Sequence, residues 1–162
     1  MSAQPDEAIR RILFPTDFSP ASYRAFRCAE RLAVSTGATL IVLHVVAVPD
    51  MWGTGGQPDE LDEETRRKLK EIRPRSANVH VEHIAHGGPP GEVICWIAQQ
   101  HDCDQIVMST HGHTGLVHLL LGSVAEYVVR HAPCPVLTVR QRSEKDKPLK
   151  EPEVYLPMPP VL

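Results

Sequence analysis

Short apolar runs alternate with helix-spaced patterns along this chain. Residues 9–14 (IRRILF) read as a strand, and Ser19-Pro20 follows as an N-cap serine with proline at the first helical position. Ala25, Ala29, Leu32 and Ala33 then recur at helical spacing, and Gly37 supplies a C-terminal stop. Residues 39–46 (TLIVLHVV) are almost wholly apolar and rich in β-branched side chains, which is the pattern of a strand covered on both faces and hence of a parallel sheet. Residues 49–58 are a glycine-rich loop. Residues 59–73 carry acids first and bases last, which suits a helix dipole, and their thin apolar stripe predicts a surface helix. Residues 78–85 (NVHVEHIA) alternate like a strand, 87–91 (GGPPG) form a turn, and 92–100 (EVICWIAQQ) form an amphipathic helix. Residues 105–108 (QIVM) make a fourth strand. A glycine-bearing loop and a helix ending at His131 come next, and PVLTV, from Pro135 through Val139, is the fifth strand. Five strands with intervening helices predict a single doubly wound α/β domain, an open parallel sheet with helices on both faces.

Composition narrows the class. With 162 residues, 42% of them apolar and 23% charged, the chain is long enough for one ordinary globular core. A net charge of −3 argues against a dedicated nucleic-acid partner, whose phosphates call for clustered Lys and Arg. No run approaches the roughly 18 apolar residues of a membrane helix, and the N-terminal MSAQPDEAIRR has no apolar core of a secretory signal. Cys28, Cys95, Cys103 and Cys134 are scattered with no CxxC, so reduced thiols and a cytoplasmic location are expected. The sequence divides into a globular part, 1–140, and a tail, 141–162, that is proline-rich with balanced charge and reads as an extended appendage.

Open α/β sheets bind ligands beyond the carboxyl ends of their strands, where strand order reverses. Pro15-Thr16-Asp17 follows the first strand. Asp17 there suits a ribose, an amine or a cation, and equally suits a cap or turn at the helix near Ser19. The second such segment is STHGHTGLVHLLLGS, Ser109 to Ser123. Gly112 and Gly115 allow close backbone approach. Ser123-Val124-Ala125-Glu126 fits an S-x-x-E capping box, which predicts a helix starting at Ser123. Free N–H groups at that start, with the helix dipole, form an anion site, and two donor clusters around one crevice suit a polyphosphate. A plain glycine loop and a capped helix would read the same way. Neither a Walker A motif nor G-x-G-x-x-G is present.

Among the histidines, His80, His83 and His86 alternate faces in a strand and do not make a three-ligand zinc site. His44 reads as a hydrogen-bonded core histidine and His111 as structural or phosphate-facing. Cys103, between Asp102 and Asp104, lacks basic surroundings for reactivity, and Cys134 packs between prolines. Trp96 and Tyr127 read as core or interface residues. No lysine or arginine stands in either candidate segment, so binding with slow or absent hydrolysis is expected, and neither catalytic nor protein-held metal residues are assigned.

ILFPTDFS, LHVV, GGPPGEVI and MSTHGHTGLVHLLLGSVAEYVVRHAPCPVLTV together resemble the universal stress protein family over about residues 9–140. The family signature is G-x-x-G, nine residues, then G-[ST]. Here nine residues separate Gly112 from Gly122-Ser123, and Ser109 replaces the first glycine. The resemblance implies strand order 3-2-1-4-5 and a homodimer paired through the last strand. It also implies ATP or AMP as ligand, with Mg²⁺ or Mn²⁺. By that likeness Pro15, Thr16 and Asp17 lie at the adenosine and Val45 packs on the adenine. Met108 and Ser109 line the site, and Gly112, Gly122, Ser123 and Val124 meet ribose and phosphates. Gly87 fits the family's G-x-P turn. The implied role is a regulatory nucleotide ligand in a stress response, through protein partners the residues do not name. The alternatives are a nucleotide-free interaction module and a slow ATPase.

Overall fold

The structure is a computed structural model and describes residues 8–46, 61–111 and 121–141. Its elements are β1 (Arg11–Thr16), α1 (Pro20–Thr36), β2 (Thr39–Val46), α2 (Glu63–Glu71), β3 (Val81–Gly87), α3 (Pro90–Gln100), β4 (Gln105–Ser109), α4 (Ser123–His131) and β5 (Val136–Val139). The five strands form one sheet in the order β3-β2-β1-β4-β5, every pairing parallel. The expected fold class and strand order are therefore observed.

Alternation along the strands fills two cores. Ile12, Phe14, Leu40, Val42 and Val107 face α1 and α2, where Ala25, Phe26, Ala29 and Leu69 pack. Leu13, Ile41, Leu43, Ile106 and Met108 face α3 and α4, meeting Val93, Ile94, Ile97 and Val128. Both sheet faces are buried, which is why the central strands read as unbroken apolar runs. Helix α1 begins as expected, with Ser19 Oγ accepting the Ser22 N–H at 3.2 Å and proline in the first turn. It ends on Gly37 at φ 72°, a left-handed C-cap that glycine adopts without strain.

Several boundaries differ from the pattern. Strand β1 starts at Arg11, not Ile9, because the Asp104 carboxylate takes the N–H groups of Arg10 and Arg11 at 2.8 and 2.9 Å. It runs on through Pro15 because there β1 pairs with β2 alone and the missing N–H breaks no ladder to β4. Helix α2 starts at Glu63, where Asp62 caps it by accepting from the Thr65 N–H at 2.9 Å. The expected start at Asp59 lies outside the described residues. Strand β3 is shifted to 81–87 by its register with β2, Leu40 opposite Val81 and Val46 opposite Gly87. Helix α3 takes in Pro90 and Gly91 from the predicted turn, since proline suits a first helical turn. Residues 47–60, 112–120 and 142–162 lie outside the described residues, and the 1–140 and 141–162 division stays a proposal.

Glu30, only 7% exposed on α1, ties that helix to the segment before β3. Its carboxylate meets Arg27 at 2.7 Å and accepts the Arg75 N–H. Burial pushes its pKa up, but Arg27 and the Arg75 N–H more than offset this and hold the carboxyl below its ordinary value. A depressed folded-state pKa contributes stability above the unfolded value of 4.5 and loses it as pH falls through the folded one. We therefore expect Glu30→Gln to cost about 1–3 kcal/mol at pH 7 by urea denaturation. The gap from wild type should close below pH 4.5, and a gap that persists in acid would contradict this account.

Candidate functional site

The decisive feature of the sheet is an incomplete ladder. Six register positions join β1 to β2, whereas β1 and β4 pair only at Ile12–Gln105 and Leu13–Ile106. Beyond those positions the two strands no longer pair with each other, and a crevice opens where strand order reverses. It is a cavity of about 280 Å³.

One wall is the turn after β1. Thr16 Oγ1 pairs with Ser22 Oγ at 3.0 Å and accepts the Phe18 N–H at 3.0 Å. Phe18 sits at φ 63°, a left-handed conformation unusual for a bulky side chain, with its ring stacked on His44 at 4.3 Å. His44 Nδ1 donates to the Thr16 carbonyl at 2.9 Å, so it is hydrogen-bonded as expected, although half-buried and not a core residue. This fixed turn carries Asp17 to the cavity, where Oδ1 also accepts the Ser19 N–H at 2.9 Å. Asp17 is thus both a turn former and a lining residue, and the two readings of its spacing coexist.

The base of the cavity is apolar: Pro15, Val45 and Met108 from three strands, with Pro90 and Ile94 from α3. The opposite wall is Ser109, Thr110 and His111 facing Gly122, Ser123, Val124 and Ala125. The capping box does not form. Helix α4 starts at Ser123, but its N-cap is Gly122, with no side-chain cap. Gly122 N–H donates to the Thr110 carbonyl at 2.7 Å, and a Cβ there would stand 3.2 Å from that oxygen, a tight contact that a larger residue could make only if Thr110 shifted by a few tenths of an ångström. Glu126 turns instead to Arg130 at 2.9 Å. The first-turn residues Ser123, Val124 and Ala125 line the cavity, and no side chain caps that helix start.

Nine of the ten residues expected at the site line this cavity, and Gly112 lies outside the described residues. Sequence reasoning missed Pro90, Ile94, Thr110 and Ala125. Ile94 carried the signal of an ordinary core residue, and only the packing of α3 over β2 brings it there. Ser109 lines the cavity with its hydroxyl proton spent, because Oγ donates to the His111 carbonyl at 2.9 Å. His111 Nδ1 is paired with Thr110 Oγ1 at 2.9 Å. Gly115, His113 and His118 lie outside the described residues.

Away from the cavity, all four cysteines are free thiols. Burial, with Cys134 next in effect, pushes Cys103 up to about 12, and burial with Asp104 and Cys95 pushes Cys134 to about 11. Neither is a poised thiolate. His83 Nε2 donates to the Ile72 carbonyl at 2.9 Å, and the described residues hold no cluster of three or more metal-binding side chains. Trp96 is 48% exposed against His86, at 5.3 Å between rings, so it is not a core residue. Among the described residues no helix is long and apolar enough to cross a membrane.

Fold and crevice define a doubly wound α/β domain with a cavity at its switch point. The sequence model of the universal stress protein family matches residues 8–140. The chain belongs to the universal stress protein family. It is 34% identical over 152 residues to a universal stress protein of Methanocaldococcus jannaschii, covering 88% of this chain and 85% of that protein. A second universal stress protein of that archaeon is 30% identical over 156 residues, covering 83% and 96%. Its solved structure matches with a TM-score of 0.74 at 29% identity, over 85% of this chain and 99% of that one. A universal stress protein solved in complex with cAMP shares the fold, with a TM-score of 0.65 at 24% identity over 82% and 98%.

Proposed function

We propose that this protein binds an adenine nucleotide, ATP or AMP, as a regulatory ligand of a cytoplasmic stress response, with little or no hydrolysis. The observation that carries the reading is the division of one cavity into an apolar floor and a wall of main-chain donors, with a carboxylate beside them. Pro15, Val45, Ile94 and Met108 suit a flat base, Asp17 suits the ribose hydroxyls, and the uncapped start of α4 suits a phosphate. One relative with this fold binds cAMP, also an adenine nucleotide.

Asp17 is the one acid among the described lining residues, and Oδ1 already accepts from Ser19. This fits a Mg²⁺ or Mn²⁺ brought in on the phosphates, with Asp17 contributing at most one ligand. No lysine or arginine is among the described lining residues to stabilise a leaving phosphate, which is why slow turnover is proposed. A homodimer through the edge strand β5 is part of the same reading. Leu137 on β5 and Val129 on α4 are 41% and 49% exposed there.

Isothermal titration of nucleotide-stripped protein with ATP and Mg²⁺, and with AMP, tests it. Saturable binding in the micromolar range is the expected result, with light scattering giving twice the 18.0 kDa chain mass. No heat and no melting-temperature shift at millimolar nucleotide, from protein shown to be folded, would overturn it.

A further inference from the structure

The direction of Asp17 is set by groups that do not line the cavity. The peptide unit before Asp17 is held by the Thr16 carbonyl, which accepts from His44 Nδ1 at 2.9 Å. A carbonyl cannot donate, so Nδ1 carries the hydrogen. The peptide unit after Asp17 is held by the Phe18 N–H, which donates to Thr16 Oγ1 at 3.0 Å. That hydroxyl is itself fixed. Ser22 Oγ donates to the Ser19 carbonyl at 2.9 Å, so in the 3.0 Å pair of hydroxyls Thr16 is the donor and keeps a lone pair for Phe18. With both flanking peptide units held and Oδ1 accepting the Ser19 N–H at 2.9 Å, Asp17 is kept in one arrangement.

That arrangement puts Phe18 at φ 63°. A bulky side chain stays left-handed only where its surroundings over-determine it. Here they are the Thr16 hydroxyl and the His44 ring, stacked on Phe18 at 4.3 Å and 30°. His44 therefore acts twice, through Nδ1 on the peptide before Asp17 and through its ring on the residue after it. It stands opposite Thr16 in the register of β1 with β2. Alternation along β2 puts its neighbour Val45, and not His44, in the cavity lining. We propose that His44 is a positioning residue that, through Thr16 and Phe18, aims the Asp17 carboxylate at the nucleotide. The inference rests on the nucleotide reading above and assigns to it a residue outside the cavity.

The test is a double-mutant cycle. ATP with Mg²⁺ is titrated into wild type, His44→Phe, Asp17→Asn and the double variant, each checked for a cooperative melt. Phenylalanine keeps a ring for Phe18 but has no donor. It is expected to weaken ATP about tenfold in the wild-type background and to add no loss in the Asp17→Asn background. If His44→Phe does not melt cooperatively, Phe18→Leu, which removes the stacked ring and keeps the donor, takes its place in the cycle with the same expected pattern. A loss of equal size in both backgrounds would mean that His44 supports the fold at large, and it overturns the proposal. Unchanged ATP affinity in His44→Phe, with Asp17→Asn still weakened, overturns this proposal alone. Wild type that binds no ATP overturns it together with the proposed function.

Discussion

Replacing Gly91 with alanine will destabilise the protein by about 3 kcal/mol, although alanine is the better helix former. Gly91 lies in the first turn of α3 against Tyr127 of α4. A Cβ built there would stand 2.7 Å from Tyr127 Cδ1, 2.8 Å from Cγ and 3.0 Å from Cβ. Those atoms belong to the base and ring of the tyrosine, not to a flexible end. The ring has little room to retreat, since it stacks on His131 at 4.2 Å and His131 Nδ1 bonds the Tyr127 carbonyl at 2.8 Å. Helix propensity alone would stabilise the variant by at most about 1 kcal/mol, so the two effects predict opposite signs. For a chain of this size the steric outcome corresponds to a fall of roughly 6–12 °C in melting temperature. Thermal denaturation decides it, and Gly91→Ala combined with Tyr127→Ala should lose less than the sum of the single changes. A rise in melting temperature would mean the helices part freely. Since α3 and α4 both line the cavity, the variant should also weaken nucleotide.

Asp17→Asn will reduce adenine-nucleotide affinity by roughly tenfold to a hundredfold while leaving stability nearly unchanged. Asparagine keeps the Oδ1 that accepts the Ser19 N–H at 2.9 Å, so the turn after β1 survives. It replaces the other carboxylate oxygen with an NH₂ group, a donor facing a ribose hydroxyl that needs an acceptor, and it removes the charge a metal would use. Asp17→Ala loses the turn bond as well and should show a melting-temperature loss that asparagine does not. Calorimetric titration and denaturation of both variants separate the two roles of the side chain. Unchanged nucleotide affinity in Asp17→Asn would put the ligand elsewhere in the cavity.

Much of this architecture was legible because local and tertiary demands agree. The strand at 39–46 is apolar on both faces since both faces are covered, and Ser19, Pro20 and Gly37 act through bonds only a few residues long. The failures came from distant partners. The start of β1 is set by Asp104, more than ninety residues away. The S-x-x-E pattern at Ser123 was overruled because Gly122 is drawn against Thr110, which places the cap one residue earlier. Ser109 was expected to line the site, and only the folded turn at His111 shows where its hydroxyl goes. Eight of the nine described site residues belong to two segments that touch only after the sheet is built, and Val45 is the ninth. Motif spacing could name them but not the cavity between them.

The bond from Thr110 to Val139 also bears on the order in which the molecule is completed. Synthesis releases β1, α1 and β2 first, and these can dock on one another early. The wall at Thr110 is different, because its outer brace is the carboxyl end of β5, the last strand among the described residues. A chain halted before residue 139 would hold the floor of the crevice and the start of α4, yet lack the strand that steadies Thr110 between them. That brace waits for residue 139, so any ligand that depends on it would be held only once β5 has been made.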